Sequence, residues 1–147
     1  MKLYRRCHND FKKRFPPITD ALANLKNVVI LDGEIVALDE HGHSRFEWLV
    51  NRGPQRGTLV YYVFDLLMLD GKDLRHLPLM KRKQRLGKVL TGHSRLLEVD
   101  HIENDGLSMF AGAKALGLEG VVAKNNKTLH RRACGDLALA EDQEPGL

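Results

Sequence analysis

Apolar and polar positions along this chain follow two periods in turn, and the places where the period changes mark out short elements. Residues 3–15 read as a short extended piece and a polar, basic turn through His8-Asn9-Asp10, which Pro16 and Pro17 stop. Ile18, Ala21, Leu22 and Leu25 then fall at i, i+3, i+4 and i+7, one face of a two-turn helix closed by Asn27. Val28-Val29-Ile30 runs into Leu31-Asp32-Gly33-Glu34-Ile35-Val36-Ala37-Leu38, a β-rich run bounded by the turn Glu40-His41-Gly42-His43. It predicts a strand that is mostly buried. Ser44 and Glu47 have capping-box spacing, so a short helix follows with Phe46, Leu49 and Val50 on its apolar face, ended by Gly53-Pro54. Residues 59–69 form the strongest strand signal, and Asp70-Gly71 is a turn signal after which Lys72-Asp73-Leu74 starts either a returning strand or a loop. Pro78 opens a basic helix over 79–90 whose Leu79, Leu86, Val89 and Leu90 face inward. A strand over 95–102, a helix over 104–116 ended by Gly117, and a strand over 119–124 complete the pattern. Strands and short helices mix without regular βαβ alternation, so an α+β fold with largely antiparallel sheet is expected.

The periodicity disappears after Asn125, which divides the chain into a patterned region, 1–124, and a tail, 125–147. At 147 residues, 43% hydrophobic and 29% charged, the chain fits one domain with a real core. No apolar run reaches the length of a membrane span, and the basic opening Met1 to Arg6 has no apolar segment behind it, so neither a membrane nor a secretory signal is expected. Cys7 and Cys134 lie far apart without metal-ligand spacing, as free thiols in a reducing cytoplasm would. His41 and His43 share a turn with no clustered Cys or further His, which fits solvated turn histidines better than a metal site. Trp48 is expected to fill or cover the core. The net charge of +4 is uneven: Lys2, Arg5, Arg6, Lys12, Lys13 and Arg14 crowd one end, and Lys81, Arg82, Lys83 and Arg85 form a second cluster. Either cluster suits phosphate contacts, or is a solvated face.

Three stretches carry candidate chemistry. Glu34 follows a glycine inside an apolar run, and a carboxylate there either faces water on an edge strand or lines a site. Phe64, in Tyr62-Val63-Phe64-Asp65, either packs in the core or stacks on a base. Glu119 and Lys124 bracket Gly120-Val121-Val122-Ala123, five positions apart, either as strand-end surface charges or as site residues.

Taken in order, these stretches resemble the adenylation domain of ATP-dependent DNA ligases, most closely the bacterial ligases of non-homologous end joining. Leu31-Asp32-Gly33-Glu34 resembles nucleotidyltransferase motif III, Tyr62 to Leu67 motif IIIa, and Glu119 to Lys124 motif IV. The opening from Leu3-Tyr4-Arg5-Arg6 to Pro16 resembles the segment after motif I. The resemblance implies a nucleotidyltransferase (ATP-grasp-like) α+β fold, ATP and Mg2+ as cofactors, and nicked or broken double-stranded DNA as partner, with other end-joining proteins, at the bacterial nucleoid. It implies that Arg6 contacts the nucleotide or the DNA 5′ phosphate, Glu34 the ribose or a metal, and Phe64 the adenine. Glu119 would help hold the divalent ion and Lys124 would lie near the ATP phosphates. Hard carboxylate oxygens suit magnesium, and cations suit phosphate oxygens.

The chain departs from that family at both ends. The family reaction uses a lysine nucleophile in a Lys-x-Asp-Gly motif, which carries AMP before handing it to the nick. The three Asp-Gly pairs here have Ile30, Met68 and Glu103 two positions before the aspartate. The Lys-x-Lys pair expected after motif IV is missing, since Lys127 is the single lysine from 125 to 147. Arg5, Cys7 and His8 replace the family's Ser and Asn-Gly. A ligase fragment truncated at both ends is therefore expected. The competing readings are a non-catalytic nucleic-acid-binding module using the basic clusters, and a remnant without function.

Overall fold

A computed structural model of the chain describes residues 13–50, 56–101 and 105–115, together with Lys124, Lys127 and Leu129. Its organising element is β2 (Thr58–Leu69), the run of β-branched, aromatic and leucine side chains that gave the strongest strand signal. On one edge β2 pairs antiparallel with β1 (Val29–Leu38) along its whole length, from Val29 opposite Leu69 to Leu38 opposite Thr58. The other edge takes two short strands. β3 (Lys72–Asp73) returns antiparallel through the Asp70-Gly71 turn, and β4 (Leu96–Glu98) pairs parallel with Tyr61 to Val63. The sheet is thus mixed, with antiparallel pairing predominant among the described strands. Asp70 and Gly71 both have positive φ, 50° and 80°, as a two-residue hairpin turn requires. The Asp70 carboxylate also accepts from the backbone N–H of Val28 at 2.9 Å and from the Asn27 side chain at 2.8 Å, clasping the entry of β1 to the exit of β2.

Helices α1 (Pro16–Ala23) and α3 (Leu79–Leu90) cover one face of the sheet. Ile18 from α1 and Leu86 and Leu90 from α3 meet Leu59, Tyr61, Val63 and Leu66 of β2, with Leu74 and Leu96 closing the core. α2 (Phe46–Val50) lies against β1, and α4 (Gly106–Ala115) carries an exposed Leu107 and Phe110. Among the described residues no helix is long and apolar enough to cross a membrane.

Several expectations need correction. α1 begins at Pro16, two residues before the Ile18 that opens the apolar spacing, because proline fits the first turn, where the N–H has no helical partner. That helix ends at Ala23, with Asn24 as its cap, and does not reach Leu25 or Asn27. β1 is not mostly buried: of its ten residues Val36 and Ala37 alone are buried, while Asp32 and Glu34 are exposed. Ser44 is drawn into a bridge with Leu38, so α2 begins later, at Phe46. Phe46 and Val50 point to solvent, while Trp48 and Leu49 pack on the core. The strand expected over 95–102 shortens to β4, and the helix expected over 104–116 is described as Gly106–Ala115. The strand expected over 119–124 and most of the tail lie outside the described residues.

The largest correction concerns the basic helix. α3 has the predicted bounds, but its buried face includes Arg82 and Lys83. Both fall at i+3 and i+4 from Leu79, on the stripe that Leu86 and Leu90 continue. Arg82 forms a two-pronged ion pair with buried Asp65, Nε to Oδ1 and Nη2 to Oδ2 at 2.8 Å each, and Nη1 donates to the Leu77 carbonyl. Lys83 donates to the Val99 carbonyl at 2.9 Å and lies 3.7 Å from a Glu98 carboxylate oxygen. Half of the cluster is therefore committed inside the fold.

Two turn carboxylates are held below their ordinary range. In the turn after β1, Asp39 accepts from the N–H of His43 and of His41 and from Arg45, and the His43 N–H has the largest effect. His41 and His43 themselves are solvent-exposed, as expected of turn histidines. Asp73 is lowered to about 2, chiefly by the hydrogen bonds from the Arg75 side chain.

Two outcomes follow from this packing. Arg82→Met leaves the Asp65 carboxylate buried and uncompensated, and should cost about 3–5 kcal/mol in denaturant unfolding. The double variant Asp65→Leu/Arg82→Met should recover much of that loss. For Asp73, folded-state depression means that its contribution is present above the unfolded value near about 4 and lost as pH falls through about 2. A carboxyl NMR titration should place the Asp73 midpoint near about 2, and Arg75→Gln should return it toward about 4.

Candidate functional site

The sheet face away from α3 carries the candidate chemistry. Along β1 the odd positions Val29, Leu31 and Ile35 pack on the core, so period-2 alternation turns Asp32 and Glu34 outward together, and both are exposed. Opposite them on β2, Glu34 pairs with Tyr62 and Asp32 with Asp65, but Gly33 pairs with Val63. Phe64 is left over: it is the extra residue of a β-bulge, with no counterpart on β1. A bulge bends the strand and re-aims the side chain at that point. The Phe64 ring is half-buried, and the Lys124 ammonium lies 5.8 Å from its centroid.

Gly33 makes this geometry possible. A Cβ there would stand 2.3 Å from the Tyr62 carbonyl oxygen and 2.8 Å from the Tyr61 ring. Buried Tyr61 therefore lies directly beneath the glycine, with its hydroxyl 3.5 Å from the Leu31 carbonyl it donates to. Burial, with a further push from the Asp32 charge, raises the Tyr61 phenol far above its ordinary range. The hydroxyl is thus kept in its donating, protonated form at neutral pH.

Of the residues singled out in the sequence, the structure brings Phe64 and Lys124 together and sets Glu34 one register step from the bulge. Arg6 and Glu119 lie outside the described residues. The assembled groups can do three things. An aromatic ring offers a stacking surface, Asp32 and Glu34 offer acceptors for hydroxyls or a hard cation, and Lys124 offers a donor to phosphate. Among the described residues no three Asp, Glu, His or Cys side chains gather as a metal cage.

Sequence reasoning did not find two supports of the site, Tyr61 under Gly33 and Arg82 behind Asp65. The second had a signal: Asp65 interrupts an apolar strand and must find a cation, and Arg82 sits on the apolar stripe of the next long helix.

Residues 1–133 match the family model described as the ATP dependent DNA ligase domain. The chain belongs to the ATP-dependent DNA ligase family. It is 36% identical over 136 residues to the multifunctional non-homologous end joining protein LigD of Pseudomonas aeruginosa, covering 89% of this chain and 16% of that protein. The ligase domain of M. tuberculosis LigD superposes with a TM-score of 0.75 at 32% identity, covering 88% of this chain and 43% of that one. A mycobacterial DNA ligase D solved with ATP and MES gives a TM-score of 0.70 at 30% identity, again with 88% and 43% covered. The chain thus spans less than half the length of these relatives. The α+β adenylation-domain fold read from the motifs, of the bacterial end-joining type, is the fold observed.

The ligase-family motif around Gly33 yields a direct test of the geometry. Gly33→Ala must displace the Tyr62 backbone or the Tyr61 ring, and should lower stability by about 1–3 kcal/mol in a denaturant melt. Amide shifts should change most around Tyr61 to Phe64, and an unaltered melt would mean that the ring does not lie under the glycine.

Proposed function

We propose that this chain binds ATP on the open face of β1 and β2, as the nucleotide-binding part of a ligase that joins nicked or broken double-stranded DNA. The observation that carries the reading is Phe64, lifted out of register by a bulge beside Glu34 and in contact with the Lys124 ammonium. In this reading adenine stacks on Phe64, Glu34 takes the ribose hydroxyls or the metal, and Lys124 with Arg6 takes the phosphates. Glu119 shares the metal with Glu34. Bound Mg2+ would neutralise phosphate charge during nucleotidyl transfer. A solved mycobacterial relative that carries ATP supports the choice of nucleotide.

No lysine stands two positions before any Asp-Gly pair of this sequence, so the chain offers no nucleophile of the family type. A reading based on nucleic-acid binding by the second basic cluster is weakened, because Arg82 and Lys83 are buried and partnered while Lys81 and Arg85 alone remain exposed there.

A thermal melt with and without magnesium-ATP tests the proposal. Binding to the folded state should raise the midpoint, by the equivalent of about 2.7 kcal/mol at 100 times Kd. Phe64→Ala and Glu34→Ala should each remove most of the rise. An unchanged wild-type midpoint at millimolar ATP would sink the reading. Intact mass after incubation should show no AMP adduct, and an adduct would nominate an unrecognised lysine nucleophile.

A further inference from the structure

Lys124 is exposed, and its ammonium stands 5.8 Å from the centroid of the half-buried Phe64 ring. At that distance the negative ring face attracts a cation. The ammonium stands over the ring, the position a planar base stacking on Phe64 would also need. An ammonium and a base cannot occupy one ring face together. A free nucleoside arriving at Phe64 must displace the lysine and gives it nothing in return. A nucleoside triphosphate displaces it too, but supplies anionic oxygens that the same ammonium can take up.

We propose that Lys124 is a specificity-determining residue, capping Phe64 in the ligand-free chain and releasing it to adenine nucleotides in preference to adenosine. The inference rests on the nucleotide-site reading given above and adds the basis of discrimination within that site. One long side chain then serves two positions, and the discrimination equals the difference between what it loses at the ring and gains at the phosphates. An exposed cation–ring contact is worth about two- to five-fold in affinity, which sets the size of the effect.

The test uses the full chain with adenosine and magnesium-ATP as separate probes, measured by calorimetry and by NMR of the Lys124 ε-methylene. Lys124→Gln should bind adenosine about two- to five-fold more tightly than wild type and magnesium-ATP more weakly. Lys124→Arg, which keeps a cation on the ring, should show no gain for adenosine. In the free wild-type chain the ε-methylene protons should be shifted upfield by the ring, and adenosine or Phe64→Leu should abolish the shift. Equal or weaker adenosine binding by Lys124→Gln would overturn the proposal, as would unshifted ε protons in a chain that binds adenosine. Failure of every form to bind either probe, with the upfield shift intact, would remove the nucleotide reading as well, a pattern distinct from both.

Discussion

The buried ion pair between Asp65 and Arg82 is the constraint on which the rest of the molecule depends. Two charges withdrawn from water are costly, and they repay that cost only when every lone pair and proton is engaged. Here the carboxylate takes both prongs of the guanidinium and the Leu66 N–H, and the guanidinium also reaches the Leu77 carbonyl. A pair so fully satisfied has one acceptable geometry, and it locks α3 to the central strand in a single register. Apolar packing of Leu86 and Leu90 alone would tolerate a small slide.

That lock sits one residue from the bulge. Asp65 is anchored toward α3, and Phe64, its neighbour, is one of two residues that β1 leaves unmatched, the other being Leu67 beyond Leu66. The extra residue of a bulge can in principle migrate along a strand, shifting every side chain beyond it to the wrong face. Fixing Asp65 on one side, and seating Gly33 over Tyr61 on the other, holds this one of the two mismatches at Phe64. The aromatic ring is thus presented by its neighbours' restraints more than by its own contacts.

Much of this was legible before any coordinates. Asp70-Gly71 announced a hairpin because few residue pairs accept positive φ twice in succession, and Pro78 together with the leucine spacing placed α3 at its true bounds. Of the ordered motifs, those around Phe64 and Lys124 meet in the fold, with Glu34 beside the bulge. What stayed hidden was non-local. Nothing near Pro16 says that the helix takes in both prolines, since that depends on where Ile18 is buried. Charge alone marked Arg82 and Lys83 as surface residues, and only a partner seventeen positions away in the chain for Arg82, and sixteen for Lys83, makes their burial sensible. The bulge at Phe64 leaves no local trace, because it arises from the count of residues on two strands and from neither strand's composition.

The clasp from Asp70 to Val28 and Asn27 has a bearing on the order in which the chain assembles. The turn from β2 to β3 joins residues five apart or fewer, Met68 to Asp73, whereas the nearest pair of β1 and β2, Leu38 and Thr58, is separated by a much longer connection. Closing the longer loop sacrifices more chain entropy before any contact rewards it. β2, β3 and α3 can therefore gather as a local nucleus, with β1 arriving late and Asp70 waiting at the tip of the hairpin to receive it. Glu34 travels on that late strand and Phe64 on the early one. Their proximity is a property of the finished molecule alone, so partly folded chains of this protein should carry the aromatic ring without the carboxylate beside it.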